Sequence, residues 1–173
     1  MEKPIINIEE LEPMESPAPM PEEKKATYGG ATMAFASRRI GAEKLGYSVV
    51  TIPAGKGKAA FPYHNHRVNE EAFFILEGDG EVRIGEGRYP IRKGDFIAHP
   101  AGGPASAHQI TNASDEHPLV YLGISTQLSP EIAEYPDAGD KFGVLGQFPG
   151  ADGAPERFMF LGRKGDQSVG YWD

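Results

Sequence analysis

The 173 residues contain no cysteine, which removes disulfide frameworks, thiolate metal sites and cysteine nucleophiles at once. An excess of positive charge is missing too. Asp and Glu total 25 against 17 Lys and Arg, a formal net charge of −8, whereas a protein that grips nucleic acid by its phosphates is usually basic. Nucleic acid is therefore not an expected partner. No stretch approaches the roughly 20 apolar residues needed to span a bilayer, so no membrane is expected either. The opening "MEKPIINIEELEP" has neither the basic start nor the apolar run of a signal peptide. These absences predict a cytoplasmic protein. The length is that of one domain, enough to bury a substantial core.

What is present falls into three parts. Residues 1–27 are rich in Pro and Glu ("EELEPMESPAPMPEEKK") without helical or alternating periodicity, which predicts an extended N-terminal arm. Residues 28–128 consist of short β-branched and aromatic runs, among them "YSVVTIP", "EAFFILEG", "AHQITN" and "LVYLGIS", each reading as a strand. Turn signals such as "EGDGE", "GEGR" and "RKGD" separate them closely, the pattern of an all-β sandwich or barrel. Residues 129–173 form a Gly- and Pro-rich extension that still carries Phe142, Val144, Leu145, Phe158, Phe160 and Trp172. It is expected to pack back on the barrel. Its stretch "YPDAGDKFGVLGQFPG" reads as a mobile lid over an opening or, slightly better, as an outer cover.

Two segments carry candidate chemistry. In "HNHRVNEEAFFILEG", His64 and His66 are two apart and project from one face of a strand. Glu71 reaches the same point if the chain turns through "RVN". The alternative is a solvated strand face with surface carboxylates. In "GDFIAHPAGGPASAHQITN", Gly-Asp turns into a strand, "HPAGG" turns out of it, and His108 lies on the next strand. A small barrel can bring that third imidazole to the first two. Nitrogen and oxygen donors without sulfur suit Fe(II), Mn(II), Ni(II), Zn(II) or Cu(II).

At these residues the chain resembles the cupin superfamily. The first cupin motif, G-x5-H-x-H-x3–4-E-x6-G, is matched by His64, His66, Glu71 and Gly78. The second, G-x5-P-x-G-x2-H-x3-N, is matched by Gly94, Pro100, Gly102, His108 and Asn112. Six residues rather than five separate Gly57 from His64, and five rather than two separate Gly102 from His108. An insertion in a turn leaves the following strand in place. More narrowly, "PYHNHRVNEEAFFILEGDG" and "AEYPDAGDKFGV" resemble a group of single-domain bacterial cupins, some of them described as sugar-phosphate isomerases.

The resemblance implies an all-β double-stranded β-helix, the jelly-roll barrel. It also implies one divalent metal ion per chain (Fe, Mn, Ni or Zn) held by His64, His66, Glu71 and His108. Four protein ligands on an octahedral ion leave positions for a small-molecule substrate. Tyr63, Phe73 and Ser106 are candidate substrate contacts because they adjoin a ligand or share its strand parity, as are Ile75 and Ile110. His99 reads as a turn or strand residue and His117 as a loop residue. The implied function is a metal-dependent enzyme on a small oxygenated molecule, an isomerase of sugar or sugar-phosphate type or a dioxygenase. A non-catalytic ligand-binding module is the alternative. Exposed strand edges and the arm predict a homodimer in which the arm or an edge strand crosses to the partner.

Overall fold

The structure is a computed structural model that describes residues 4–16, 19–149 and 155–165. Trp172 lies outside the described residues. Strands dominate: the second motif, residues 94–112, contains β8 (Phe96–His99) and β9 (His108–Asn112), with β1 (Met14–Glu15), β2 (Thr32–Phe35), β3 (Leu45–Ile52), β4 (Asn65–His66), β5 (Glu71–Glu77), β6 (Asp79–Ile84) and β7 (Gly87–Arg92) before it. After it come β10 (Leu119–Thr126), β11 (Glu131–Glu134), β12 (Lys141–Pro149) and β13 (Pro155–Arg163).

All pairings are antiparallel. One layer runs β1-β2-β3-β10-β5-β8. The other is built from β7-β6-β9 and β4-β11-β12-β13, joined where His64 bridges His108. The result is the two-layered double-stranded β-helix expected from the sequence.

Period-two burial explains the layers. In β5, Phe73 and Ile75 face inward and are buried, while Phe74 points out and packs on the exposed Phe96. In β10, Leu119 and Tyr121 do the same. Val50, Ile52, Val82, Ile91, Ile97 and Ile110 complete the core between the layers. Each full burial of this kind contributes about 2 kcal/mol. Between β5 and β6 the chain turns at Gly78 with φ of 83°, and a Cβ there would lie 2.3 Å from the Pro118 carbonyl oxygen. Only glycine fits both constraints, which is the physical content of the glycine closing the first motif.

The N-terminal segment differs from the expected extended arm. It contains a helix, α1 (Glu22–Tyr28), and β1 adds to the edge of β2. The acidic pair Glu22–Glu23 suits the helix N-terminus, and the Ala59 N–H donates to the Thr27 carbonyl at 2.9 Å, docking the helix end. Tertiary contact decides a helix too short to be stable alone. Within the stretch read as a lid or outer cover, residues 141–149 form strand β12 between β11 and β13.

Candidate metal centre

Four elements assemble the site. His64, just before β4, and His108, at the start of β9, exchange two backbone hydrogen bonds, at 3.1 and 2.7 Å. Burial in β9 alternates so that His108, Ile110 and Asn112 face inward, and the His108 ring lies 5.4 Å from that of Phe73. On the extended chain His64 and His66 share one side and Asn65 takes the other. Asn65 donates to Glu134 Oε2 at 3.0 Å and to the Gly102 carbonyl at 2.9 Å. Those two bonds lock the strand between the histidines.

Glu71 opens β5 and points at the same place. Its Oε2 lies 3.4 Å from His66 Nε2 and 3.2 Å from His108 Nε2. That oxygen is buried, and neither approach has the alignment of a hydrogen bond. His64, His66 and Glu71 each offer a ligand atom, and these lie within 4.8 Å of one another. His108 joins them through Glu71, its ring centre 4.6 Å from that of His64.

Protonation favours the same reading. His64 Nδ1 lies 2.8 Å from the Pro62 carbonyl. A carbonyl only accepts, so Nδ1 carries the proton and Nε2 presents a lone pair. Burial, then the neighbouring His108 and His66, push His64 down to about 4. For Glu71, burial pushes upward but is outweighed by His108 facing it and by the histidine charges, so it sits at about 2. At neutral pH His64 is therefore neutral and Glu71 ionised, the forms a divalent cation requires. An orphaned buried carboxylate oxygen facing imidazole nitrogens, with no sulfur nearby, fits such a metal.

Two carboxylates that the sequence reading passed over support this cluster from β11. Glu131 is 5% exposed and accepts backbone N–H bonds from Arg67 (3.0 Å), Val68 (3.2 Å), Asn69 (2.6 Å) and Ile132 (2.7 Å). It thereby holds the loop between His66 and Glu71, and its Oε2 reaches to 3.7 Å from His66 Nδ1. Glu134 binds Asn65 and also pairs with Arg67 at 2.7 Å and Lys164 at 2.9 Å. The Arg67 hydrogen bond, followed by those from Lys164 and Asn65, outweighs burial and holds Glu134 at about 2. The one signal in the text was a pair of acids in "SPEIAEYPD", indistinguishable there from surface charge.

A cavity of about 270 Å³ opens on the cluster, walled by Phe61, Phe73, Ile110, Tyr121, Ala133 and Leu145, with Gln109 and Tyr135 as polar members. Phe73 is thus beside the site, as is Ile110, whereas Ile75 lies in the core. Tyr63 turns away: its hydroxyl donates to the Gly85 carbonyl at 3.1 Å and its ring lines a neighbouring outer cavity. The Ser106 hydroxyl donates to the Gly103 carbonyl at 2.9 Å within a 3-10 turn, and Ser106 is not part of the cavity wall. His99 ends β8, buried, with its ring centre 3.7 Å from that of His108. It backs a proposed ligand, closer than its place before Pro100 suggested. His117 is exposed. Asn112 donates to the Pro53 and His117 carbonyls and accepts from the Ser114 N–H, so it ties loops rather than entering the site.

Fold and cluster together define the class, and comparison with known proteins agrees. The Cupin domain family model matches residues 48–125. Residues 48–125 thus form a domain of the cupin superfamily. Among solved structures it is similar to a cupin-superfamily sugar phosphate isomerase from Silicibacter pomeroyi (23% identity, 97% of this chain and 98% of that one, TM-score 0.77). It is also similar to a candidate sugar phosphate isomerase from Acidithiobacillus ferrooxidans (28% identity, 82% of each chain, TM-score 0.61). A segment of 60 residues, 35% of this chain, is 37% identical to quercetin 2,3-dioxygenase of Bacillus subtilis and spans 18% of that enzyme's length. Among the described residues, no helix is long and apolar enough to cross a membrane.

Proposed function

We propose that His64, His66, Glu71 and His108 hold one divalent ion and that the site is an enzyme centre for a small oxygenated molecule, of the sugar or sugar-phosphate isomerase type. The observation that carries this reading is the orphaned Glu71 Oε2, 3.2 and 3.4 Å from two imidazole nitrogens at the base of an open cavity. A bound divalent ion would supply Lewis acidity to a carbonyl or hydroxyl oxygen of the substrate. The chain's own part is to shape and dry the site: Phe61, Phe73 and Leu145 exclude water, and Gln109 and Tyr135 offer hydrogen bonds. Similarity over 82% of the chain to the candidate isomerase supports the reaction class. The extension 129–173 belongs to the working unit in this reading, because Glu131, Tyr135 and Leu145 act at the site.

The predominantly apolar wall favours a second reading, dioxygenation with iron, which the 60-residue similarity to the quercetin enzyme also supports. Metal analysis of protein purified without chelators, followed by reloading with zinc, manganese or iron, separates the two. Aldose–ketose interconversion followed by NMR in the zinc or manganese form supports isomerisation. Oxygen uptake confined to the iron form supports dioxygenation. Binding without turnover in every form leaves a non-catalytic cupin module.

We also infer a homodimer. The edge strand β13 exposes Phe158, Met159, Phe160 and Leu161 at 51%, 68%, 37% and 49%. Consecutive apolar residues on both faces of an edge that is unpaired among the described residues suit pairing with a second copy.

A further inference from the structure

We propose that the outer cavity beside the metal centre is an anion subsite for the phosphate of a phosphate monoester whose hydroxylated end lies at the histidine–glutamate cluster. This deepens the isomerase reading and rests on it for the position of the reacting end. The outer cavity has a volume of about 470 Å³ and shares Phe61 and Tyr135 with the inner one. One face of the partition is explicit: the Tyr135 ring stacks on that of His64 at 6.2 Å, with 26° between planes. The Lys141 ammonium lies 4.5 Å from the same ring's centre. Tyr135 thus connects the metal-ligand side to the cationic side.

Charge selects the ligand. Lys24, from α1, and Lys141, from the start of β12, both line the outer cavity, and neither is in an ion pair among the described residues. The lining carboxylate, Asp137, is already neutralised by Arg83 at 2.6 Å, whose guanidinium sits 3.6 Å over the Tyr63 ring. In a chain of net charge −8, this concavity is a local reversal of sign that draws anions. Two ammonium groups match the charge of a phosphate monoester, about −1.5 to −2 at neutral pH, where a carboxylate would leave one lysine unanswered. Lysine is a regular phosphate partner as a point charge. Lys24 and Lys141, far apart in the chain, meet there only through folding.

The test is calorimetric titration of the purified full-length protein at low ionic strength with glucose 6-phosphate, inorganic phosphate, gluconate and glucose. The phosphates should bind and weaken with added salt, gluconate should bind about tenfold less tightly than glucose 6-phosphate, and glucose should not need the lysines. Lys24→Ala and Lys141→Ala should each weaken phosphate binding by about threefold to tenfold, the exposed Lys24 by less than the partly covered Lys141. The double variant should lose it, and Lys24→Arg/Lys141→Arg should retain it. Inorganic phosphate should still bind the His64→Ala/His66→Ala protein with wild-type affinity. Persistence of that binding in a wild type that proves metal-free would sustain the subsite while the metal reading fell. Loss of phosphate binding with the histidines would place the anion on the metal and overturn the subsite. So would wild-type phosphate affinity in the double lysine variant. Tighter binding of gluconate than of glucose 6-phosphate would overturn the phosphate assignment.

Discussion

Replacing Glu131 by glutamine probes how far the extension holds the metal centre in shape. The side chain is nearly isosteric, so packing changes little. Its hydrogen bonding does not survive. Oε1 accepts from the N–H groups of Arg67, Val68 and Ile132, and Oε2 accepts from Asn69 at 2.6 Å. An amide in the better of its two orientations puts NH₂ against the Asn69 N–H, donor facing donor. One buried donor left unmade costs about 1–3 kcal/mol, and the lost charge weakens the three bonds that remain. The expected total is about 2–3 kcal/mol, a fall of roughly 4–12 °C in Tm for a domain of this size. Glu131→Ala orphans all four donors and should cost about 4 kcal/mol, less where water reaches the loop. His66 loses the carboxylate 3.7 Å from its Nδ1, so metal affinity should drop about tenfold in the glutamine variant. Urea denaturation gives the stability, and competition with a chromophoric chelator gives the affinity. A glutamine variant with wild-type midpoint and wild-type metal affinity would refute the argument that Glu131 holds the ligand loop.

Three further outcomes are expected. His64 at about 4 and His99 at about 3, depressed by burial first and then by neighbouring histidine charge, both lie below the unfolded value of 6.5. Their contribution to stability is complete above pH 6.5 and is lost as pH falls; for His64 it amounts to about 3 kcal/mol by pH 4. Urea midpoints of metal-free protein that stay level from pH 7 to 4.5 would contradict this. Gly78→Ala, with its positive φ and a Cβ 2.3 Å from the Pro118 oxygen, should cost on the order of 3 kcal/mol; a loss under 1 kcal/mol in thermal melts would show that the turn relaxes. Light scattering should give a dimer mass for the wild type and a monomer for Phe158→Lys/Phe160→Lys, and a monomeric wild type would exclude the inferred homodimer.

Much of the barrel was legible in the text because period-two burial and glycine turns are local properties. Strand parity with Glu71 in "EAFFILE" and with His108 in "HQITN" groups Phe73, Ile75 and Ile110 with the ligands before any contact is known. The spacing of His64, His66 and Glu71 likewise survives into ligand atoms that lie within 4.8 Å of one another, since a strand and a short turn have little freedom to scatter them. Helix α1 was not legible, because its seven residues are marginal alone and owe their form to docking against residues such as Ala59. Ser106 illustrates the opposite failure: near His108 in sequence, its hydroxyl is spent on the turn that carries it.

By itself, then, the sequence determined the strand pattern, the turns that only glycine can make and the donor atoms available for a metal, because each depends on residues a few positions apart. The tertiary structure alone decided that Glu131 and Glu134 come back from the extension to hold the loop and strand around His66. It also decided that His99 stacks behind His108 and that Lys24 and Lys141, far apart in the chain, share one cavity. The physical reason is that burial turns an ordinary acid or imidazole into a specific one, while distant lysines share a cavity only once the strands and helix pack; both are properties of the folded chain as a whole.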